Sequence, residues 1–195
     1  MLTVNDRMKN PEYGDAYTFV AFDPDSKAVI NFDVGKRTAE TTRRFIFDLS
    51  GRMKGKLQIS TDGFTPYITA IEDAFGSDAH YAQIVKTYSA EKPEGSRYRP
   101  PKISGVVVQQ ISGRPERSRV CTSYVERNNW TIRTHLRRFT RLSNGFSRKL
   151  DNMKAALSLW FWYYNFCRIH GSTRVTPAMA LGVTDRLWDL KEILV

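Results

Sequence analysis

The chain predicts a mixed α/β fold, a sheet with helices packed on it. Three observations predict it. Short β-branched and aromatic runs stand at 17–22, 28–34, 56–61 and 81–88. Apolar residues recur at helical spacing between and after these runs. Turn and cap residues punctuate the two patterns, giving hairpin, helix, strand, helix, strand, long connection, helix, helix.

Residues 1–14 are polar and end in Pro11-Glu-Tyr-Gly14, which reads as a linker or remnant. Tyr17 to Phe22 is the first strand, and Asp23-Pro-Asp-Ser-Lys27 is turn chemistry. Ala28 to Val34 returns as the second arm of a hairpin. A helix from Thr38 to Arg52 follows, with Thr38 as N-cap and Phe45, Ile46 and Leu49 on one side. The strand Lys56 to Thr61 stops at Asp62-Gly63, and Thr65-Pro66 opens a helix that Gly76 closes. Tyr81 to Tyr88 is the next strand. Residues 89–120 read as a loop insertion rich in Pro, Gly, Ser and Arg, in which only Val106-Val-Val108 looks like strand. Helices at 123–141 and 147–166 follow, and the C-terminal piece 184–195 carries a last short helix near Leu187 to Leu194.

At 195 residues and 41% hydrophobic content, the chain suits one good-sized domain and excludes wholesale disorder. The net charge of +10 is confined: 97–149 holds 13 Lys and Arg against 2 acids. Most are arginines, whose planar fork suits phosphate, so the segment reads as a footprint for nucleic acid. A solvated basic surface is the plainer reading. Trp160 to Phe166 is apolar but far too short to span a bilayer. The N-terminus lacks the apolar stretch of a signal peptide. Cys121 and Cys167 have no zinc spacing and read as reduced thiols in a cytoplasmic protein. His80, His135 and His170 show no metalloprotease spacing, and no phosphate-binding or dinucleotide glycine motif is present.

Two acids stand out. Asp62 ends a strand just before a helix, where reacting groups gather in open α/β sheets, although Asp-Gly is also a plain turn pair. Glu126 lies in a basic helix, on a stripe with Trp130, Arg133, Arg137 and Arg141, while Val125, Ile132, Leu136 and Phe139 make a core face. Ser123-Tyr-Val-Glu126 is also a capping box, which by periodicity alone is the fuller account of Glu126. Carboxylates are hard oxygen ligands that suit Mg²⁺, and composition offers these two.

The chain resembles a DDE-type transposase, closest to the ribonuclease H-like domain of the insertion-sequence-one group. The resemblance runs from about Tyr17 to Leu194. It rests on ordered motifs: 17–27 (YTFVAFDPDSK), 61–63 (TDG), 124–129 (YVERNN), 137–142 (RRFTRL), then Tyr164-Asn165, Arg168, His170 and Thr176-Pro177. It implies that 15–183 is a ribonuclease H-like domain, a mixed sheet with flanking helices. It implies that Asp62 is the second catalytic aspartate and Glu126 the catalytic glutamate. Both would hold a Mg²⁺ pair, for which Mn²⁺ could substitute, in DNA cleavage and strand transfer. Arg127, Asn128, Trp130, Arg133, Arg137, Arg138 and Arg141 would contact DNA. The implied partners are element ends and target DNA and further copies of the chain, with no membrane and no small-molecule substrate. The setting would be a prokaryotic cytoplasm.

One departure qualifies this. The group's first aspartate lies on an earlier, central strand that has no counterpart here, so the expected fold lacks its first strand. Asp15 and Asp23 flank the first hairpin strand eight residues apart, about 26 Å at roughly 3.3 Å per residue, so at most one could approach Asp62. The alternative reading is a non-catalytic DNA-binding remnant that interferes with an intact transposase. Phe161, Trp162, Tyr163 and Tyr164 read as core or oligomer contacts. Arg168 and His170 read as groups that close the long helix or touch phosphate.

Overall fold

A computed structural model describes residues 15–89, 103–140, 145, 147 and 149–193. The architecture is mixed α/β, with strands flanked by helices. The first hairpin pairs β1 (Tyr17–Phe22) antiparallel to β2 (Val29–Gly35), with Tyr17 opposite Gly35. Asp23 fixes the turn between them, its carboxylate accepting from the Ser26 amide at 2.9 Å and from the Ser26 hydroxyl. That is the turn role the sequence suggests for Asp23.

Helix α1 (Ala39–Arg52) starts where Thr38 Oγ1 accepts from the Thr41 amide. It turns Phe45, Ile46 and Leu49 inward, as their spacing predicts. Strand β3 (Leu57–Asp62) follows, then α2 (Pro66–Phe75), with Pro66 in its first turn and Gly76 at φ +48° ending it. Strand β4 (Ala79–Tyr88) runs parallel to β3, with Asp62 beside Ile84.

Four sequence expectations change here. Within the expected loop 89–120, the strand is longer than Val106-Val-Val108. Ile103–Ser112 forms a ten-residue strand, β5, antiparallel to β4. Its pairing with β4 overrides a local composition of Gly, Ser and Gln that reads as loop. Helix α3 (Ser123–His135) stops short of 141. Its last turn is rich in β-branched residues, and polar side chains bond its carbonyls. Thr134 Oγ1 donates to Thr131 O at 2.9 Å and His135 Nδ1 lies 2.9 Å from the same oxygen. Helix α4 (Leu150–Trp162) is shorter than 147–166 and passes into a π-turn at Tyr163–Cys167. After α5 (Pro177–Ala180), the expected C-terminal helix is a single 3₁₀ turn at Leu190–Ile193. The expected linker 1–14 lies outside the described residues.

Among the described residues the strands form two sheets, β1-β2 and β3-β4-β5. Alternation along β1 sends successive side chains to opposite layers. Phe19 belongs to a buried cluster with Phe45, Ile46, Leu49, Ala70, Ile71 and Tyr81, built by α1 and α2. Val20 and Phe22 pack against the other cluster, where Val29, Val34, Ile132, Leu157, Trp160, Phe161 and Tyr164 meet α3 and α4. Fully burying each large aliphatic side chain contributes about 1.5–3 kcal/mol. A side-chain clamp ties the hairpin to the far end of the chain. Asn165 donates to Val29 O at 2.8 Å and accepts from the Val29 amide at 3.1 Å.

Candidate active-site cleft and basic helix

The two sheets face each other across a cleft of about 630 Å³. Strand β1 walls one side and β3 the other, and Asp62 and Glu126 both line it. Strand directions follow from one contact. Arg37, two residues beyond β2, donates to Asp62 Oδ2 at 2.8 Å, so β2 and β3 end on the same side. Strand β1 therefore begins on that side, which leaves Asp15 near the Asp62 end and Asp23 at the other.

Asp62 is the last residue of β3, and its carboxylate is 58% exposed. Its Oδ1 accepts from the Phe64 amide at 3.1 Å, an Asx turn that opens the way into α2. Arg37 holds the other oxygen while its guanidinium lies 4.4 Å from the Phe64 ring centre. The turn role and the exposed carboxylate thus coexist in one residue.

Glu126 sits in the first turn of α3, and the capping box does not form. Helix α3 begins at Ser123 with no side-chain cap bond at Thr122. Ser123 Oγ instead lies 2.8 Å from Cys121 Sγ. Glu126 Oε1 takes a bond from the Thr122 hydroxyl at 3.2 Å and an ion pair from Lys86 Nζ. The neighbouring carboxylate holds the Lys86 ammonium above the usual lysine range. Lys86 lies on β4 two residues beyond Ile84, the residue beside Asp62. Each acid thus has a cation beside it, Arg37 on Asp62 and Lys86 on Glu126. Sequence reasoning missed Arg37 and Lys86. A signal existed, because Lys86 is the one Lys or Arg on a strand of otherwise uncharged or apolar residues and His80.

Among the described residues there is no group of three or more His, Cys, Asp or Glu side chains placed to hold a metal ion. Asp62 and Glu126 alone, each engaged by a cation, fall short of the donor set that a metal pair needs.

The basic helix divides once it is folded. Arg127, Trp130 and Arg133 are exposed, Trp130 by 64%. Asn128 is not on that surface. It is 3% exposed, and neither amide atom has a hydrogen-bond partner among the described residues. Arg137 and Arg138 lie beyond the end of α3 in a 3₁₀ turn, so the stripe from Glu126 to Arg141 is broken after Arg133. Arg138 Nη1 donates to Ser147 Oγ at 3.1 Å and to Asn152 O at 3.2 Å, which braces the start of α4. Arg141 lies outside the described residues.

Beneath α3, Tyr164 is buried, its phenol pushed up to about 12 by desolvation, with its ring 4.7 Å from that of His170. Burial, with Arg168 and Lys27 nearby, lowers the His170 pKa below its ordinary value. The Arg168 backbone amide caps the π-turn through Tyr163 O at 3.1 Å. Its Nη1, like His170 Nε2, is buried without a partner among the described residues. Phe161 is buried as expected of a core residue, and Trp162 stacks on Phe166.

Fold and site together define a mixed α/β domain with two acids and a basic helix on one cleft. Comparisons with protein-family profiles, curated proteins and solved structures find no match to the chain. No helix among the described residues is long and apolar enough to cross a membrane.

Proposed function

We propose that the chain is the DNA-handling domain of a DDE-type transposase, with a ribonuclease H-like sheet opened where its central strand would lie. The observation that carries this reading is the convergence of Asp62 and Glu126 on one cleft at the end of β3. The two residues that the motif resemblance selects come from elements 64 positions apart, and α3 also presents Arg127, Trp130 and Arg133. The DNA backbone would lie along these cations, and binding would be driven by release of counterions. Mg²⁺ or Mn²⁺ is the cofactor this reading carries, and Asp62 and Glu126 are the residues that would hold it. The donor set is incomplete, so no cleavage step is derived from it.

A specific observation favours the second reading, a DNA-binding domain without catalysis. Each acid is tied to a cation, Asp62 to Arg37 and Glu126 to Lys86. In that state both acids serve the cleft's structure.

One set of measurements separates the two. Duplex DNA binding followed across salt should weaken steeply with salt. Replacing Arg127 and Arg133 with Ala should lower the slope by roughly one for each phosphate no longer neutralised. Strand transfer dependent on Mg²⁺ that disappears in Asp62→Asn and in Glu126→Gln supports the transposase. Activity that survives both substitutions sinks the residue assignment. Binding without transfer supports the second reading, and no salt-sensitive binding removes both.

A further inference from the structure

We propose that the α3–α4 face holds a site for a phosphate group that carries a hydroxyl, either hydrogen phosphate or the end of a phosphate monoester. The site stands apart from the cleft and holds whether or not the chain handles DNA.

Side chains from three parts of the chain converge there. Tyr124, Asn128 and Ile132 recur every fourth residue along α3, so they share one of its faces. Lys27, at the turn of the first hairpin, places Nζ 4.8 Å from the Tyr124 ring centre. Ile132 belongs to one buried cluster with Tyr164, whose ring lies 4.7 Å from that of His170. On the shared face, Asn128 therefore stands between the residue that meets Lys27 and the residue that packs with Tyr164. Arg168 joins the group from the chain between Tyr164 and His170, and its charge acts on both. None of Lys27, Asn128, Arg168 and His170 lines the cleft.

The group lacks a negative partner. Lys27, Arg127 and Arg168 form no ion pair among the described residues. Besides burial, the groups that act on His170 are Arg168 and Lys27, and those that act on Tyr164 are Arg168 and Arg127, with no carboxylate among them. Cations gathered in partly buried surroundings repel one another until an anion joins them.

The hydrogen bonding is unfinished as well. Asn128 is 3% exposed with both amide atoms unpartnered, and Arg168 Nη1 and His170 Nε2 are buried without partners, among the described residues. Arg168 Nη1 and Asn128 Nδ2 can only donate, so they call for oxygens. Asn128 Oδ1 can only accept, so it calls for a hydroxyl. A carboxylate or a phosphodiester brings oxygens alone. Water offers both roles but leaves the cations uncompensated. Hydrogen phosphate supplies oxygens, a hydroxyl and negative charge around one centre. Lys27, Arg168 and His170 are partly exposed, and rotation of the long Lys27 and Arg168 side chains is the way in.

The test titrates inorganic phosphate, and separately sulfate, into the full chain by calorimetry at constant ionic strength in a buffer free of both. Phosphate should bind at a single site per chain. Sulfate has no hydroxyl at neutral pH, so it should bind about tenfold more weakly, the worth of one hydrogen bond. Asn128→Leu should erase that preference, and Arg168→Gln, which keeps donors without the charge, should weaken both anions. No saturable phosphate binding would leave the buried atoms to water and overturn the inference. Equal affinity for the two anions would make phosphate an adventitious ion only, and a preference that survives Asn128→Leu would also overturn it. If that variant fails to fold, unchanged phosphate affinity in Arg168→Gln overturns it instead. Competition assigns the source. A short duplex with phosphorylated ends that displaces bound phosphate, where the same duplex with hydroxyl ends does not, identifies a DNA end. Displacement by neither identifies a small phosphate or monoester. Equal displacement by both would make the ligand a diester and sink the assignment.

Discussion

The two helical faces of the molecule are built to different standards. The α1–α2 face closes with nearly every buried polar group bonded. Asn31 donates to Phe45 O and to Asp48, Tyr81 meets Thr61 and Gln83, and only Asn31 Oδ1 lacks a partner among the described residues. The α3–α4 face leaves five buried atoms without partners among the described residues: both amide atoms of Asn128, Trp160 Nε1, Arg168 Nη1 and His170 Nε2. A buried amide without a partner costs about 1–3 kcal/mol. The first face therefore acts as the scaffold, and the second carries polar groups that packing alone does not explain.

The largest expected effect tests whether both faces are load-sharing cores. Ile46→Ala, in the first cluster, and Leu157→Ala, in the second, should each lower unfolding free energy by about 2–5 kcal/mol in urea titration. A loss near zero for Leu157→Ala alone would mean that the second face contributes little to the fold. Next in size is a change of opposite sign. Asn128→Leu replaces an unpartnered amide by an apolar group of the same branched shape and should raise stability by about 1–3 kcal/mol. A loss instead would show that the amide has a partner in solution and would erase the contrast.

Smaller still, Thr38→Ala removes the N-cap of α1 and should cost about 1 kcal/mol. The same substitution at Thr122, where no cap bond forms, should cost less. The smallest effect is a pH dependence confined to the second face. The folded state lowers the pKa of His170, so the unfolded chain binds its proton first. That contribution is complete above the ordinary histidine value of 6.5 and is lost as pH falls through the lowered folded value. Urea midpoints from pH 8 to 5 should fall more in the native chain than in His170→Phe. Equal slopes would remove His170 from the account.

The same division governs what was legible in the sequence. Around the first face, local signals were sufficient. Thr38, Pro66 and Gly76 mark helix ends through their own chemistry, and Phe45, Ile46 and Leu49 announce a buried stripe by spacing. Elsewhere, boundaries depended on partners far away in the chain. Strand β5 exists because β4 offers it an edge, and Gly105, Gln109 and Gln110 give no local sign of that. Helix α3 looked continuous to 141 because periodicity does not register side chains bonding the carbonyls near His135. Asp62 and Glu126 could be named from the sequence, and both line the cleft. Their cations could not be, since Arg37 and Lys86 meet them only through the fold. Asn128 looked like a surface contact because its neighbours Arg127 and Trp130 are exposed, yet the intervening turn of helix points it inward.

The Asn165 clamp on Val29 has a consequence for how the molecule assembles. The two residues lie 136 positions apart, so the bond that seats the first hairpin against the second face joins the earliest described strands to nearly the last helical turn. Synthesis at roughly 5–20 residues per second places several seconds between them. During that interval the hairpin and β3 leave the ribosome with open edges and no cover from α3 or α4. Protection from mispairing in those seconds has to come from chaperones or from rapid closure of the α1–α2 face. Asn165→Ala should therefore raise the fraction of newly made chain that aggregates more than its effect on equilibrium stability would suggest.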